Sequence, residues 1–210
     1  MPDFSFEDRL LDRLDLPLNS PVAGLDEVGR GPLAGPVVAC AVVIDRDTIP
    51  PLIIEALDDS KKLTASKREQ LYEALALTTR YALGQSSVEE IDDINILQAS
   101  LLAMRRALDG LPIRPVAALV DGNRDPGLSC PTDCIVKGDG KSLSIAAASV
   151  IAKVTRDRQM ADLAKTYPGY GWETNAGYGS KAHLAALQEL GPTSHHRKSF
   201  SPVRDLLSRP

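Results

Sequence analysis

The segment LSIAAASVIAKVTRDRQMADLAKTY, residues 143–167, constrains the fold more than any other part of the chain. Its first half is apolar nearly all the way round a helix, so it has no face to offer water. Its small side chains let it lie close against a partner, and a β-sheet is the partner that covers such a helix broadly. Strand-like runs supply that sheet. Residues 22–28 and 37–44 are β-rich and joined by the Gly/Pro loop GRGPLAGP, which reads as two adjacent antiparallel strands. After Pro115, VAALVDGN has the apolar character of a buried strand and stops abruptly at Asp121 and Gly122. CIVKGDGKS adds a shorter run.

Helices fill the intervals. The Ser66/Glu69 spacing predicts a helix through Leu83, and Ser87/Glu90 predicts another to about Leu108, with Ile91, Ile94, Leu97, Leu101, Leu102 and Leu108 on one core-facing stripe. Ser180 starts a further helix that Gly191 can stop, and SHHRKSFSPVRDLLSRP reads as a basic tail followed by a short helix. At 210 residues the chain is expected to form one domain, with a core over about 20–190 and a tail over about 191–210. The acid-rich, amphipathic start MPDFSFEDRLLDRLDL lacks the basic opening and continuous apolar stretch of a secretory signal. The longest apolar run, residues 37–44, is far short of the roughly 20 residues that span a bilayer. A cytoplasmic protein without membrane contact is the expectation.

Charge narrows the partners. A net charge of -4 gives no global attraction to nucleic acid, so any polyanion must meet a local basic patch. Lys61, Lys62, Lys141, Arg197 and Lys198 are candidates for phosphate contacts that position a duplex without reading its sequence. Three cysteines, Cys40, Cys130 and Cys134, leave an odd thiol in any pairing scheme and suit a reducing compartment. Cys130 and Cys134 could share a metal, but two thiols without nearby partners make a poor zinc site, and ordinary loop and core cysteines are the plainer reading.

Four acids stand where strands hand over to loops: Asp26 and Glu27 on the first strand, Asp121 at the end of a later one, and Asp139 inside KGDGKS. Single acids at strand ends are commonplace. Taken together, amid glycine, clustered carboxylates repel one another unless divalent cations neutralise them. An all-oxygen donor set suits Mg²⁺ or Mn²⁺ rather than zinc, and two such ions on the order of 4 Å apart serve phosphodiester cleavage.

The chain is similar to bacterial ribonuclease HII, a type 2 ribonuclease H, from about Val22 to Phe200. The resemblance rests on GLDEVGRGPLAGPVVACAVV, DDSKKLTASKRE, IDDINILQASLLAM, LVDGN, KGDGKSLSIAAASVIAKVTRDRQM, YPGYGW, GYGSKAHLAAL and HRKSF, in that order. It implies an α/β, RNase H-like fold: a mixed central sheet flanked by helices, with a helical C-terminal extension that helps grip a duplex. It implies that Asp26, Glu27, Asp121 and Asp139 are the active-site acids and bind divalent metal. It also implies that an activated water attacks the phosphate to leave a 5′-phosphate and a 3′-hydroxyl. Asp26 and Asp121 are the best candidates for direct ligation, while Glu27 and Asp139 ligate directly or through water.

The resemblance further assigns the test for ribose to Gly29, Arg30 and Gly31, together with a tyrosine that maps to Tyr178, with Tyr170 as the competing assignment. Glycine lets main-chain groups approach a sugar, and a 2′-hydroxyl both donates and accepts hydrogen bonds. The tyrosine ring would pack on the adjacent deoxyribose. His183, His195 and His196 could serve as acid or base, but a carboxylate–metal mechanism needs none, so structural or phosphate-contacting roles are expected. The expected activity is cleavage of the RNA strand of RNA/DNA hybrids and nicking on the 5′ side of single ribonucleotides in duplex DNA. A catalytically silent duplex binder and a hydrolase of small phosphoesters are the rival readings. A monomer is expected, and no convincing peptide for recruitment by a sliding clamp stands in the tail.

Overall fold

The computed structural model describes residues 2–58 and 64–208. Helix α1 (Ser5–Arg13) leads into strands β1 (Val22–Val28) and β2 (Val37–Val43), then helices α2 (Pro51–Asp58) and α3 (Ala65–Thr78), strand β3 (Arg80–Ser86) and helix α4 (Val88–Asp109). Strands β4 (Ala117–Asp121) and β5 (Thr132–Ile135) follow, then a 3-10 turn (Gly138–Gly140) and helices α5 (Leu143–Thr166), α6 (Trp172–Asn175), α7 (Lys181–Leu190) and α8 (Ser201–Leu207). The sheet runs β3-β2-β1-β4-β5, with β1 antiparallel to β2 and parallel to β4.

Helix α5 covers one face of this sheet and α4 the other. On the α5 side the strand beneath has no side chain at Gly24, where a Cβ would stand 2.1 Å from the carbonyl carbon of Ser144. That contact is possible only for glycine, and it seats the start of α5 directly on β1. Leu119, Ile145 and Ile151 on this face, and Leu25 and Ile91 on the α4 face, have no exposed surface. Truncating any of them to alanine would cost about 2–5 kcal/mol. Helix α1 pins the same helix start from outside: the buried Glu7 accepts from Ser142 Oγ at 2.7 Å and from the Ser144 amide at 3.1 Å.

Two expectations from the sequence need correction. Helix α3 ends at Thr78, not Leu83, and is capped by Thr64, whose hydroxyl accepts from the Lys67 amide, rather than by Ser66. The stretch that follows is β3, paired with β2 from Val43–Arg80 to Val37–Ser86. RYALGQS has no strong local bias toward either state, and pairing along the whole of β2 decides it. Helix α4 starts on the expected capping box, with Ser87 and Glu90 exchanging both bonds, yet it is not continuous. Asn95 leaves the helical region (φ 65, ψ 162), and its side chain recaps the second half by accepting from the amides of Leu97 and Gln98. Among the described residues no helix is long and apolar enough to cross a membrane.

Candidate active site

Parallel strands deliver like ends to one place. The β1–β4 register pairs Leu25 with Val120, so the next residues, Asp26 and Asp121, stand side by side at the C-terminal ends of adjacent strands. Residues two apart on a strand share a face, so both acids lie on the face that α5 covers. Glu27 points to the opposite face at the same strand end. Asp139 arrives on the 3-10 turn, entered through Lys137 in the left-handed region and docked onto Asp121 by a 2.6 Å bond from the Gly138 amide to Asp121 Oδ1.

The electrostatics are unfavourable to the charged acids. Burial holds the Asp26 carboxyl well above the usual carboxylate range, and the charges of Glu27 and Asp121 push it further, against bonds from Ser149 and the Glu27 amide. The amide bond, to Asp26 Oδ1, is 2.7 Å long. Burial also raises Glu27, opposed by Arg30, whose guanidinium lies 3.1 Å from Glu27 Oε1. The second oxygen, Glu27 Oε2, is buried without a hydrogen-bond partner. Among the described residues no three His, Cys, Asp or Glu side chains stand together in a way that could hold a metal ion. The buried Asp26, the half-buried Asp121 and Glu27 with its orphaned Oε2 offer only oxygen donors, and that chemistry fits a hard divalent cation such as Mg²⁺ or Mn²⁺.

Beside the acids, the loop of residues 29–36 is held from below by two buried arginines. Arg197 donates to the carbonyls of Gly29 (2.6 Å), Arg30 (3.0 Å), Gly35 (2.8 Å) and Pro36 (3.3 Å). Arg156 donates to the carbonyls of Ala34 (3.0 Å), Pro36 (2.9 Å) and Ala176 (2.8 Å). Gly29 has φ 95, and a Cβ on it would stand 2.2 Å from Arg156 Nε. Tyr178 is 48% exposed, and its ring lies over Gly31, with Cε1 3.3 Å from where a Cβ would be. Tyr170 instead is buried, stacked on Trp172, with its hydroxyl donating to the Gly191 carbonyl, so of the two tyrosines Tyr178 is the one beside the glycine loop.

The basic candidates divide. Arg197 has no exposed surface and cannot meet a phosphate from the surface; the expectation fails because residues 195–197 pack as a strand-like bridge against residues 33–35. Lys198 is exposed, with its amide held by Asp92. Lys141 is exposed and donates to the Val136 carbonyl at 2.8 Å. Lys61 and Lys62 lie outside the described residues.

His183 and His196 are buried in an aromatic cluster with Tyr170 and Trp172. His183 Nδ1 faces the Tyr178 carbonyl at 2.8 Å, and its Nε2 accepts from Trp172 Nε1 at 3.0 Å. Burial lowers the pKa of both rings, that of His196 to about 4, which leaves them neutral framework rather than acid or base near neutrality. Cys40 is buried, and Cys130 and Cys134 pack beside the α4-side core as free thiols. Sequence reasoning missed Arg156 altogether, and an arginine within a helix that continues as RDRQMADLAK carries no local sign that it is buried.

The sequence profile of the family described as Ribonuclease HII matches residues 23–203. Ribonuclease HII of Paramagnetospirillum magneticum is 60% identical over 190 residues, which cover 90% of this chain and 94% of that protein. Ribonuclease HII of Rhodospirillum rubrum is 58% identical over 211 residues, covering 100% of this chain and 93% of that protein. Among solved structures, ribonuclease H2 from Pyrococcus horikoshii OT3 superposes with a TM-score of 0.75 at 31% identity, over 89% of this chain and 96% of that one. The mixed sheet with helices on both faces is the RNase H-like arrangement that the sequence motifs imply.

Proposed function

The chain belongs to the ribonuclease HII family, endoribonucleases H that cleave the RNA strand of RNA/DNA hybrids, and on that premise we propose that it is metal-dependent and also nicks duplex DNA on the 5′ side of single ribonucleotides. The observation that carries this reading is the side-by-side placement of Asp26 and Asp121 next to a glycine loop overlaid by an exposed tyrosine. The substrates are RNA/DNA hybrid and ribonucleotide-containing duplex, met in the cytoplasm.

Asp26, Glu27, Asp121 and Asp139 would hold Mg²⁺ or Mn²⁺, Asp26 and Asp121 most directly. Such ions would supply activation of a water and charge stabilisation at the leaving 3′-oxygen, chemistry that gives 5′-phosphate and 3′-hydroxyl ends. The chain's own part is to gather the carboxylates in a buried site and to present the substrate to them. Arg30, half-exposed and tied to Glu27, is placed to meet a backbone phosphate. Gly31 leaves the main chain open to a ribose, and the Tyr178 ring gives the neighbouring deoxyribose an apolar face. Because the carbonyls of Gly29 and Arg30 already accept from Arg197, the amides of Arg30 and Gly31 are the loop donors offered to the 2′-oxygen. Lys141 and Lys198 contact phosphates farther along the duplex.

Cleavage of an end-labelled duplex carrying one ribonucleotide, beside an all-DNA duplex, tests the proposal in Mg²⁺, Mn²⁺ and chelator. A cation-dependent nick 5′ of the ribonucleotide, absent from the all-DNA duplex, is expected. Tight hybrid binding without cleavage in either ion would leave a silent binder instead. Cleavage of small phosphoesters with salt-insensitive affinity would point to the phosphoesterase reading.

A further inference from the structure

Arg156 and Arg197 are two buried cations whose guanidinium bonds go to main-chain carbonyls. Burial lowers their pKa to about 10 and about 9, so both remain charged at neutral pH. Burying two like charges next to each other is costly, and charge-assisted bonds to carbonyls offset that cost only while the geometry is kept. All of those carbonyls belong to the loop of residues 29–36 or to Ala176, two residues before Tyr178.

Stereochemistry gives this arrangement a direction. In a trans peptide the C=O of one residue and the N–H of the next point opposite ways, and the described chain has no cis peptide bond. Carbonyls of Gly29 and Arg30 drawn inward to Arg197 therefore turn the amides of Arg30 and Gly31 away from it, and the Tyr178 ring lies against the same Gly31. A carbonyl that accepts from a cation also makes the attached N–H a stronger donor. Arg156 bridges the two halves, since its guanidinium reaches both Ala34 and Pro36 in the loop and Ala176 beside the tyrosine. The Leu33 amide adds a 2.8 Å bond to the Gly177 carbonyl across the same seam.

We propose that Arg156 and Arg197 are positioning residues for ribose recognition, a clasp that aims the amides of Arg30 and Gly31 outward and fixes Tyr178 against them as one rigid unit. This rests on the ribose-testing role proposed above. Neither arginine touches substrate; each acts through the peptides it holds.

The test is a ratio of affinities, measured in chelator so that no strand is cut: duplex with one ribonucleotide against the same duplex in all-DNA form. Wild type is expected to prefer the ribonucleotide duplex. Arg197→Lys keeps the charge but cannot span four carbonyls; it should lower the preference roughly tenfold, with all-DNA affinity unchanged within about twofold, since small displacements of a recognition group cost that much or more. A purely structural role would reduce the folded fraction and scale both affinities alike, leaving the ratio unmoved. An unmoved ratio in folded Arg197→Lys overturns the inference. Should that variant not fold, Arg156→Lys carries the same expectation and decides in its place. A wild type that shows no preference would instead overturn the ribose-testing reading beneath it.

Discussion

Asp26→Asn should make the cation-free protein more stable while strongly impairing its activity. Asparagine has nearly the same shape and keeps an oxygen to accept the 2.7 Å bond from the Glu27 amide. What it removes is a charge opposed by burial, by Glu27 and by Asp121. Replacing a buried, uncompensated charge by a neutral group of the same size stabilises by roughly 1–2 kcal/mol, or about 2–8 °C in melting temperature for a domain of this length. The pH dependence follows from the raised folded-state pKa. Above the unfolded value of 3.8 the folded state binds more protons than the unfolded state, so wild-type stability falls as pH rises toward the folded pKa. Asparagine does not titrate, so the gap between variant and wild type opens across that window and is smallest at its acid end. Cleavage should fall on the order of a thousandfold, the equivalent of about 4 kcal/mol of lost cation-mediated stabilisation. Mg²⁺ should raise the melting temperature of wild type more than that of the variant. Thermal melts in chelator and in Mg²⁺, at several pH values, make the measurement. A variant that melts below wild type in chelator near neutrality would refute the reasoning, because it would mean that the Asp26 charge is already compensated.

Gly24→Ala forces a Cβ onto the backbone of Ser144, so it should destabilise by roughly 2–4 kcal/mol in urea melts, and an unchanged midpoint would contradict the close seating of α5. Tyr178→Ala should leave stability within about 0.5 kcal/mol, as the ring is half-exposed, while slowing nicking at a single ribonucleotide roughly tenfold in steady-state kinetics. His196, whose folded pKa of about 4 lies below its ordinary value of 6.5, contributes stability that is complete above about pH 6.5 and lost as pH falls toward 4. The loss should be up to about 3 kcal/mol and should be absent from His196→Gln in denaturant titrations across that range.

The strand-end position of Asp121 was legible in the sequence because the abrupt stop of an apolar run needs no tertiary information. The Ser87/Glu90 box was legible for the same reason, as both of its bonds close within one turn. Strand β3 was not, because its state is set by β2, whose partner residues lie 37 to 49 positions earlier in the chain. The break at Asn95 was hidden because apolar residues continue on both sides of it, yet beyond the break the buried face is Ala99, Ala103, Met104, Ala107 and Leu108, not the expected Leu97, Leu101 and Leu102. Arg197 was read as a surface cation because nothing within HRKSF reveals that residues 195–197 dock on residues 33–35.

That docking also sets a schedule for biosynthesis. The guanidinium that shapes the loop is encoded 162 residues after Gly35. At about 5–20 residues per second the wait is roughly 10–30 s, during which Asp26 and Glu27 exist without their finished neighbour. A nascent chain stopped before Arg197 should therefore carry Asp26, Glu27, Asp121 and Asp139 and still fail to prefer a ribonucleotide over an all-DNA duplex, so a segment made later completes one made much earlier.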